Sequence, residues 1–256
     1  MNQLHSKSVV VGIDGSQAAV NAAKWAIDEA IGLQLPLRLV HVVGRKNARS
    51  PSAELSDWEL ETGETALYQA EVAVLGAGKP VAVETVLLSG DPEQVLIDES
   101  SDAALVCVGT DQRRWATDRL LGATETALAT RAHCPVAIIR TNPDGTPARP
   151  GVIAVVLNDE ADNDEVVHQA MEEGRRRHAT VRQIDRRLNS WVRRYPDVPV
   201  EVVAAGAGAR SSENRSNAIG LAVVGRADAD QIAELATPNC HPILGYPSCS
   251  VLVIRD

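Results

Sequence analysis

The sequence predicts an α/β protein made of two tandem, doubly wound parallel sheets, the second truncated. Three observations carry this prediction. Short apolar runs alternate with helix-type patterns five times between residues 8 and 140, the signature of strands crossing over through helices on both faces of a parallel sheet. A stretch with three prolines, Thr141 to Pro150, then breaks all periodicity. Beyond it the chain repeats its own strands, with Leu221–Gly225 answering Leu105–Gly109 and Cys249–Arg255 answering Cys134–Arg140.

The elements follow in order. Val9–Ile13 is a buried-type strand ended by Asp14-Gly15-Ser16, where Gly15 allows the turn and Ser16 is a natural N-cap. Ala19, Ala23, Ala26, Ile27 and Ala30 then recur at the spacing of one helix face. Leu37–Val43 is a second strand, residues 44–52 a polar loop, and 54–75 a long helix with Leu60, Leu67 and Val74 in seven-residue steps. Val81–Leu88 is the third strand. Asp91-Pro92-Glu93-Gln94 opens the next helix with a cap, a proline at the first position and Gln94 three residues beyond the cap. Leu105–Val108 and Val136–Ile139 are strands four and five, with a helix from Gly122-Ala123-Thr124 through Arg131 between them.

The division predicted is 1–142 for the first domain, 143–150 for a linker and 151–256 for the second domain. In the second copy Val152–Asn158 answers Val9–Asp14, and a helix covers Asp164–His178. The few residues Ala179–Ile184 leave no room for a full second strand with a long loop before a helical run at Asp185–Tyr195. Gly206–Asn217 reads as a loop or a frayed helix.

Composition excludes several classes. At 256 residues, 45% hydrophobic and 23% charged, the chain suits a globular protein with a sizeable core, and that core is aliphatic because there is no Phe. Residues 1–140 hold 12 basic and 18 acidic side chains and the remainder 13 and 16, so neither half offers a basic footprint for nucleic acid or an anionic membrane. Residues 1–8 lack a signal-peptide core, and no apolar run approaches the ~20 residues of a membrane helix. Cys107 and Cys134 read as reduced core thiols; Cys240, His241 and Cys249 lack a second close-spaced pair and are discounted as metal ligands. The expected location is cytoplasmic.

The stretch most able to carry chemistry is Val106–Glu125. Strand, Gly109, polar loop, Gly122, helix is how α/β proteins build a phosphate cradle from backbone N–H groups and a helix N-terminus. Ligands in such sheets bind beyond the strand C-termini, where Asp14–Ser16, Val42–Gly44 and Gly109–Gly122 lie.

Val10-Val-Gly-Ile-Asp-Gly-Ser16, Leu39-Val-His-Val42, Ser89-Gly-Asp-Pro92, Val106–Gly109 and His133-Cys-Pro-Val136 resemble the universal stress protein (UspA) family, in its tandem-domain form. The resemblance covers residues 8–140 and, more loosely, 151–256. It implies Rossmann-like domains with five parallel strands in the order 3-2-1-4-5. It also implies that Gly12 and Asp14 lie beside ribose and adenine, with Val42 at the adenine edge. The residues alone leave Asp14 a second role, as a turn residue capping a helix.

In the family's nucleotide-binding branch the loop after strand four reads Gly, two residues, Gly, nine residues, Gly, then Ser or Thr. Here the corresponding positions are Gly109, Gln112, Gly122 and Ala123, followed by Thr124. Gln112 puts a side chain where backbone would approach phosphate. Ala123 removes a hydroxyl, and Glu125 occupies the family's second hydroxyl position. Asp111 and Glu125 oppose a polyphosphate by about 1 kcal/mol each in a solvated site. Arg113 and Arg114 would offset this if they pointed inward, but an exposed loop favours a solvated role. The second copy has Asn158-Asp-Glu160 in place of Asp14-Gly-Ser16 and Pro238 in place of the third glycine, so no nucleotide is expected there.

Other candidates have bland readings. His41 suits a satisfied interior histidine, and Trp25, Trp58 and Trp191 suit helix-face packing, while Trp115 covers the pocket or meets a partner. Arg175–Arg177 and Arg186-Arg187 read as a solvated face paired with Glu172 and Glu173. No G-x-S-x-G or H-E-x-x-H motif occurs. The sequence thus predicts a non-catalytic stress-response protein acting on an unknown protein partner, with a lost or weakened nucleotide site. An ATP- or AMP-binding regulator using the first domain alone is the alternative. The fifth strands, Val136–Ile139 and Val251–Ile254, are expected to pair the copies as an internal pseudo-dimer, or to pair two chains.

Overall fold

The computed structural model describes residues 7–44, 57–111, 122–142, 144–147, 151–155, 163–183, 193–202, 219–226 and 249–255. The first half contributes β1 (Ser8–Gly12), α1 (Gln17–Leu33), β2 (Leu37–Gly44), α2 (Asp57–Leu75), β3 (Val83–Gly90), α3 (Pro92–Glu99), β4 (Ala103–Asp111), α4 (Ala123–Arg131) and β5 (Val136–Thr141). The second half contributes β6 (Val152–Val155), α5 (Asn163–Arg177), β7 (Val181–Gln183), β8 (Val200–Val202), β9 (Ile219–Val224) and β10 (Ser250–Val253).

The ten strands among the described residues join one sheet in the order β3-β2-β1-β4-β5-β10-β9-β6-β7-β8. Each half is parallel throughout and repeats the order 3-2-1-4-5. The halves meet at one antiparallel ladder, in which Val136 pairs with Val253 and Ile138 with Val251. The expected pairing of the fifth strands is what the structure shows.

Side-chain alternation builds two cores. Val9, Val11, Leu39, Cys107 and Ile139 face one side, beneath the alanine face of α1 and the Leu67 and Val74 stripe of α2. Val10, Val40, Val106, Val108 and Ile138 face the other, beneath Leu96 of α3 and Leu128 of α4. Both cores run across the β5–β10 seam into the second half. The helix starts follow their caps. Ser16 Oγ accepts from the Ala19 N–H at 3.1 Å, and the Asp91 carboxylate accepts from the Glu93 N–H at 3.1 Å.

Several elements differ from expectation. Gln94 does not return to Asp91; its amide donates to Asp98 one turn on. β3 begins two residues late, because its ladder with β2 starts at Leu37 opposite Val83. β4 and β5 run past their apolar cores, since the ladder continues through Thr110–Arg140 and Asp111–Thr141. The second half does hold a second strand. Three residues suffice for β7, because Val181 is fully buried and pairs with Ile153 on one side and Val200 on the other. The expected helix at Asp185–Tyr195 falls on described residues only at its end, and Gly206–Asn217 falls outside them.

The basic run of α5 also departs from a solvated face. Arg175 behaves as expected, pairing in the open with Glu172 and Asp197. Arg176 and Arg177 instead turn inward and both reach Glu29 of α1 and Glu173 of α5. Glu29 and Glu173 are almost wholly buried. The Arg177 guanidinium lies 4.0 Å from the centroid of the Trp25 ring. α1 leaves room for this at Gly32, where a Cβ would come within 2.8 Å of Arg176 Nε. Burial, then the neighbouring Glu173 carboxylate, push the Glu29 carboxyl from 4.5 up to about 8, against the pull of both arginines.

Two outcomes are expected. Val136→Asp or Val251→Asp places an unpaired carboxylate in the seam and should cost ~3 kcal/mol or more. An unchanged thermal midpoint in both variants would mean that the ladder does not hold the halves together. The folded chain also binds the Glu29 proton more firmly than the unfolded chain does. Its contribution to stability is therefore full below about 4.5 and is lost as pH rises through about 8. Thermal midpoints across that window should fall for the wild type and fall less steeply for Glu29→Gln; parallel curves would exclude Glu29 as the source.

Candidate functional site

The C-terminal ends of β1, β2 and β4 open a cavity of ≈310 Å³ where the strand order reverses. Gly12, Ile13 and Asp14 line it from the end of β1, Val40, His41 and Val42 from β2, and Val108 and Gly109 from β4. Pro92 and Leu96 of α3 form a wall, and Thr124 and Glu125 of α4 close the far end.

Each position has a local cause. Ile13 N–H donates to the Val40 carbonyl at 2.8 Å, tying the end of β1 to β2. His41 Nδ1 donates to the Ile13 carbonyl at 2.7 Å, so this histidine is satisfied from within, as its sequence position suggests. The Asp14 carboxylate accepts from the Ser16 N–H at 2.9 Å, which sets the turn into α1, and it still lines the cavity mouth. Both roles open to Asp14 from the sequence are compatible with this geometry.

Of the eight candidate positions, Gly12, Asp14, Val42, Gly109 and Thr124 share the cavity wall. Gly122 is the N-cap of α4 and Ala123 its first residue; neither is among the lining residues. Gln112 lies outside the described residues, as do Arg113, Arg114 and Trp115. Glu125 is the residue to add. It is buried, stands in the first turn of α4 and lines the cavity. Its signal in the sequence was its place two residues beyond the lost hydroxyl. His41 of β2 and Pro92 and Leu96 of α3 join the wall too, and for the last two the start of a helix directly after a strand end is the cue.

Gly109 has a structural reason that its motif conceals. A Cβ there would lie 2.1 Å from the Ala18 carbonyl oxygen and 2.6 Å from the Ala19 nitrogen. The glycine is required for α1 to sit on β4, whatever the cavity holds. Burial lowers the Arg140 guanidinium from its ordinary value, and Glu125 is among the groups opposing that shift.

A second cavity of ≈320 Å³ shares His41 and Val42 with the first and is lined further by Val43, Gly44, Trp58, Glu59 and Thr62. Trp58 is 66% exposed and lines this groove instead of packing on a helix face. Trp25 does pack against the core. Cys107, Cys134 and Cys249 are buried free thiols. Burial raises Cys107 well above its ordinary value, Cys134 up to about 12 and Cys249 up to about 11, so all three stay protonated and unreactive at neutral pH. Cys240 and His241 lie outside the described residues, among which no group of three or more metal-ligating side chains converges. No described helix is long and apolar enough to cross a membrane.

Fold and cavity together define a tandem α/β protein with its crevice at the β1–β4 switch point. The family model for the universal stress protein family matches residues 5–140, and the chain belongs to that family. It is 38% identical over 265 aligned positions to universal stress protein Rv2624c of Mycobacterium tuberculosis, covering 97% of this chain and 96% of that one. It is 33% identical to universal stress protein Rv3134c of the same species, covering 98% and 97%. Its fold is similar to the crystal structure of a universal stress protein from Archaeoglobus fulgidus, with a TM-score of 0.67 at 13% identity over 98% and 96% of the two chains.

Gly109→Ala should cost ~3 kcal/mol through overpacking against Ala18. Urea denaturation measures this, and an unchanged midpoint would return Gly109 to a ligand role alone.

Proposed function

We propose that this chain is a non-catalytic stress-response protein that works by contact with another protein. In this reading its first-half cavity is a universal-stress-type nucleotide site weakened at the phosphate end. The two domains are residues 1–142 and 151–256, joined by a linker at 143–150. The observation that carries the reading is Glu125, a buried carboxylate lining the end of the cavity nearest the N-terminus of α4. Ala123 beside it offers no hydroxyl, and Gly109 is accounted for by packing. A triphosphate does not fit this set of residues: two carboxylates, Asp14 and Glu125, face the space, with no Lys or Arg among the described lining residues. Tyr68, Val72 and Leu75 stand exposed on one line of α2, apolar surface of the kind that protein contacts bury.

A second reading, an adenine-nucleotide regulator using ATP or AMP in the first half only, is favoured by the kept wall of Gly12, Asp14, Val42 and His41. Native mass spectrometry of the purified chain, with calorimetry against ATP, ADP and AMP, separates the two. We expect no ATP carried through purification and weak ATP binding. Tight ATP binding, or co-purified ATP, would sink the first reading in favour of the second.

A further inference from the structure

The two ends of the first-half cavity ask for opposite chemistry. Val40, Val42, Leu96, Val108 and the Pro92 ring supply apolar walls that accept a flat heterocycle. The polar side chains at its ends include two carboxylates, Asp14 at the mouth and Glu125 beside α4, with the Thr124 hydroxyl preceding Glu125 in the same helix turn. A helix N-terminus carries roughly half a positive charge, which in a phosphate-binding fold is offered to the ligand. In α4 that preference is met from within the chain. Gly122 contributes no side-chain cap, and Glu125 places its own negative charge in the first turn. Glu125 thus takes the electrostatic place that a ligand phosphate would take.

We propose that Glu125 is the specificity-determining residue of this cavity and makes it select an uncharged adenine nucleoside over the phosphorylated forms. The proposal rests on the reading of this cavity as the family's nucleotide site. A carboxylate accepts hydrogen bonds from ribose hydroxyls and repels a phosphate anion, so one residue favours the nucleoside and excludes the nucleotide. Size agrees with charge. At ≈310 Å³ the cavity lies near the lower limit of ligand pockets, about 300 to 1,000 Å³, and suits a nucleoside better than a triphosphate.

The test is calorimetric titration of the full chain with adenosine, AMP and ATP, for the wild type, Glu125→Gln and Glu125→Ser. The wild type should bind adenosine about ten-fold or more tightly than AMP, and ATP more weakly still, because repulsion grows with charge. Both variants should lower the adenosine-to-AMP preference about ten-fold. Circular dichroism and thermal midpoints establish that they fold. Should neither fold, the wild-type preference for adenosine over AMP alone decides. A preference unchanged in a folded variant overturns the assignment of Glu125. Wild-type binding of AMP as tightly as adenosine overturns the selectivity itself. No binding of adenosine overturns this inference and leaves the protein-contact reading standing, whereas tight ATP binding overturns both.

Discussion

The antiparallel ladder between β5 and β10 is the constraint on which the rest of the structure depends. Each half alone is a five-stranded parallel sheet with one long, apolar edge, and an exposed edge of that kind invites uncontrolled pairing. Joining the two edges makes one ten-stranded sheet and continues both hydrophobic faces across the seam. The arrangement is close to two-fold. Arg140 follows the core of β5 and Arg255 follows β10, each standing opposite a buried thiol, Cys249 and Cys134 respectively. Arg255 donates to the carbonyls of Leu128 and Ala129 in α4, so a residue of the second half secures a helix of the first. Helix α4 carries Glu125, and the site is therefore mechanically tied to the seam.

On one face the seam is also closed by charge. α1 lies over β4 and β5, and α5 lies over β6 and β9, which brings Glu29 to Glu173, Arg176 and Arg177. Each arginine reaches both acids, so the polar groups of the cluster are matched by partners as buried groups must be. Such a cluster adds little net stability compared with apolar packing, but it is exacting about geometry. A shift of α1 against α5 would leave a buried charge unpaired, which costs far more than losing an apolar contact. The ladder holds the halves together, and the cluster fixes how the helices above it are set.

Much of this was legible in the sequence because it is local. The alternation of Val9, Val10 and Val11 fixes which face each residue takes, and Ser16, Asp91 and Pro92 mark helix starts by chemistry confined to a few residues. Two of the misreadings share one cause, a partner distant in the chain. Arg176 and Arg177 have Glu173 within one turn, a spacing that fits an exposed face equally well; what they turn inward to meet is Glu29, 147 and 148 residues away. β7 is too short to register as a strand until β6 and β8 flank it. Trp58 shows the converse, an aromatic on a helix that the fold leaves at the rim of a groove.

The same distinction governs the site. A crevice at the β1–β4 switch follows from strand order, so its presence says little about what it holds. The glycines are similarly weak witnesses. Gly109 reads as half of a phosphate motif, yet the backbone of Ala18 lies so close that no other residue fits there. A motif position that packing requires persists after its ligand is gone. A carboxylate buried in a cavity wall has no such excuse, because burying it without a purpose or a counter-charge is unfavourable. Glu125 is therefore the more informative residue. Where the strand-glycine-helix frame and the charge inside it point to different ligands, the charge is the better guide.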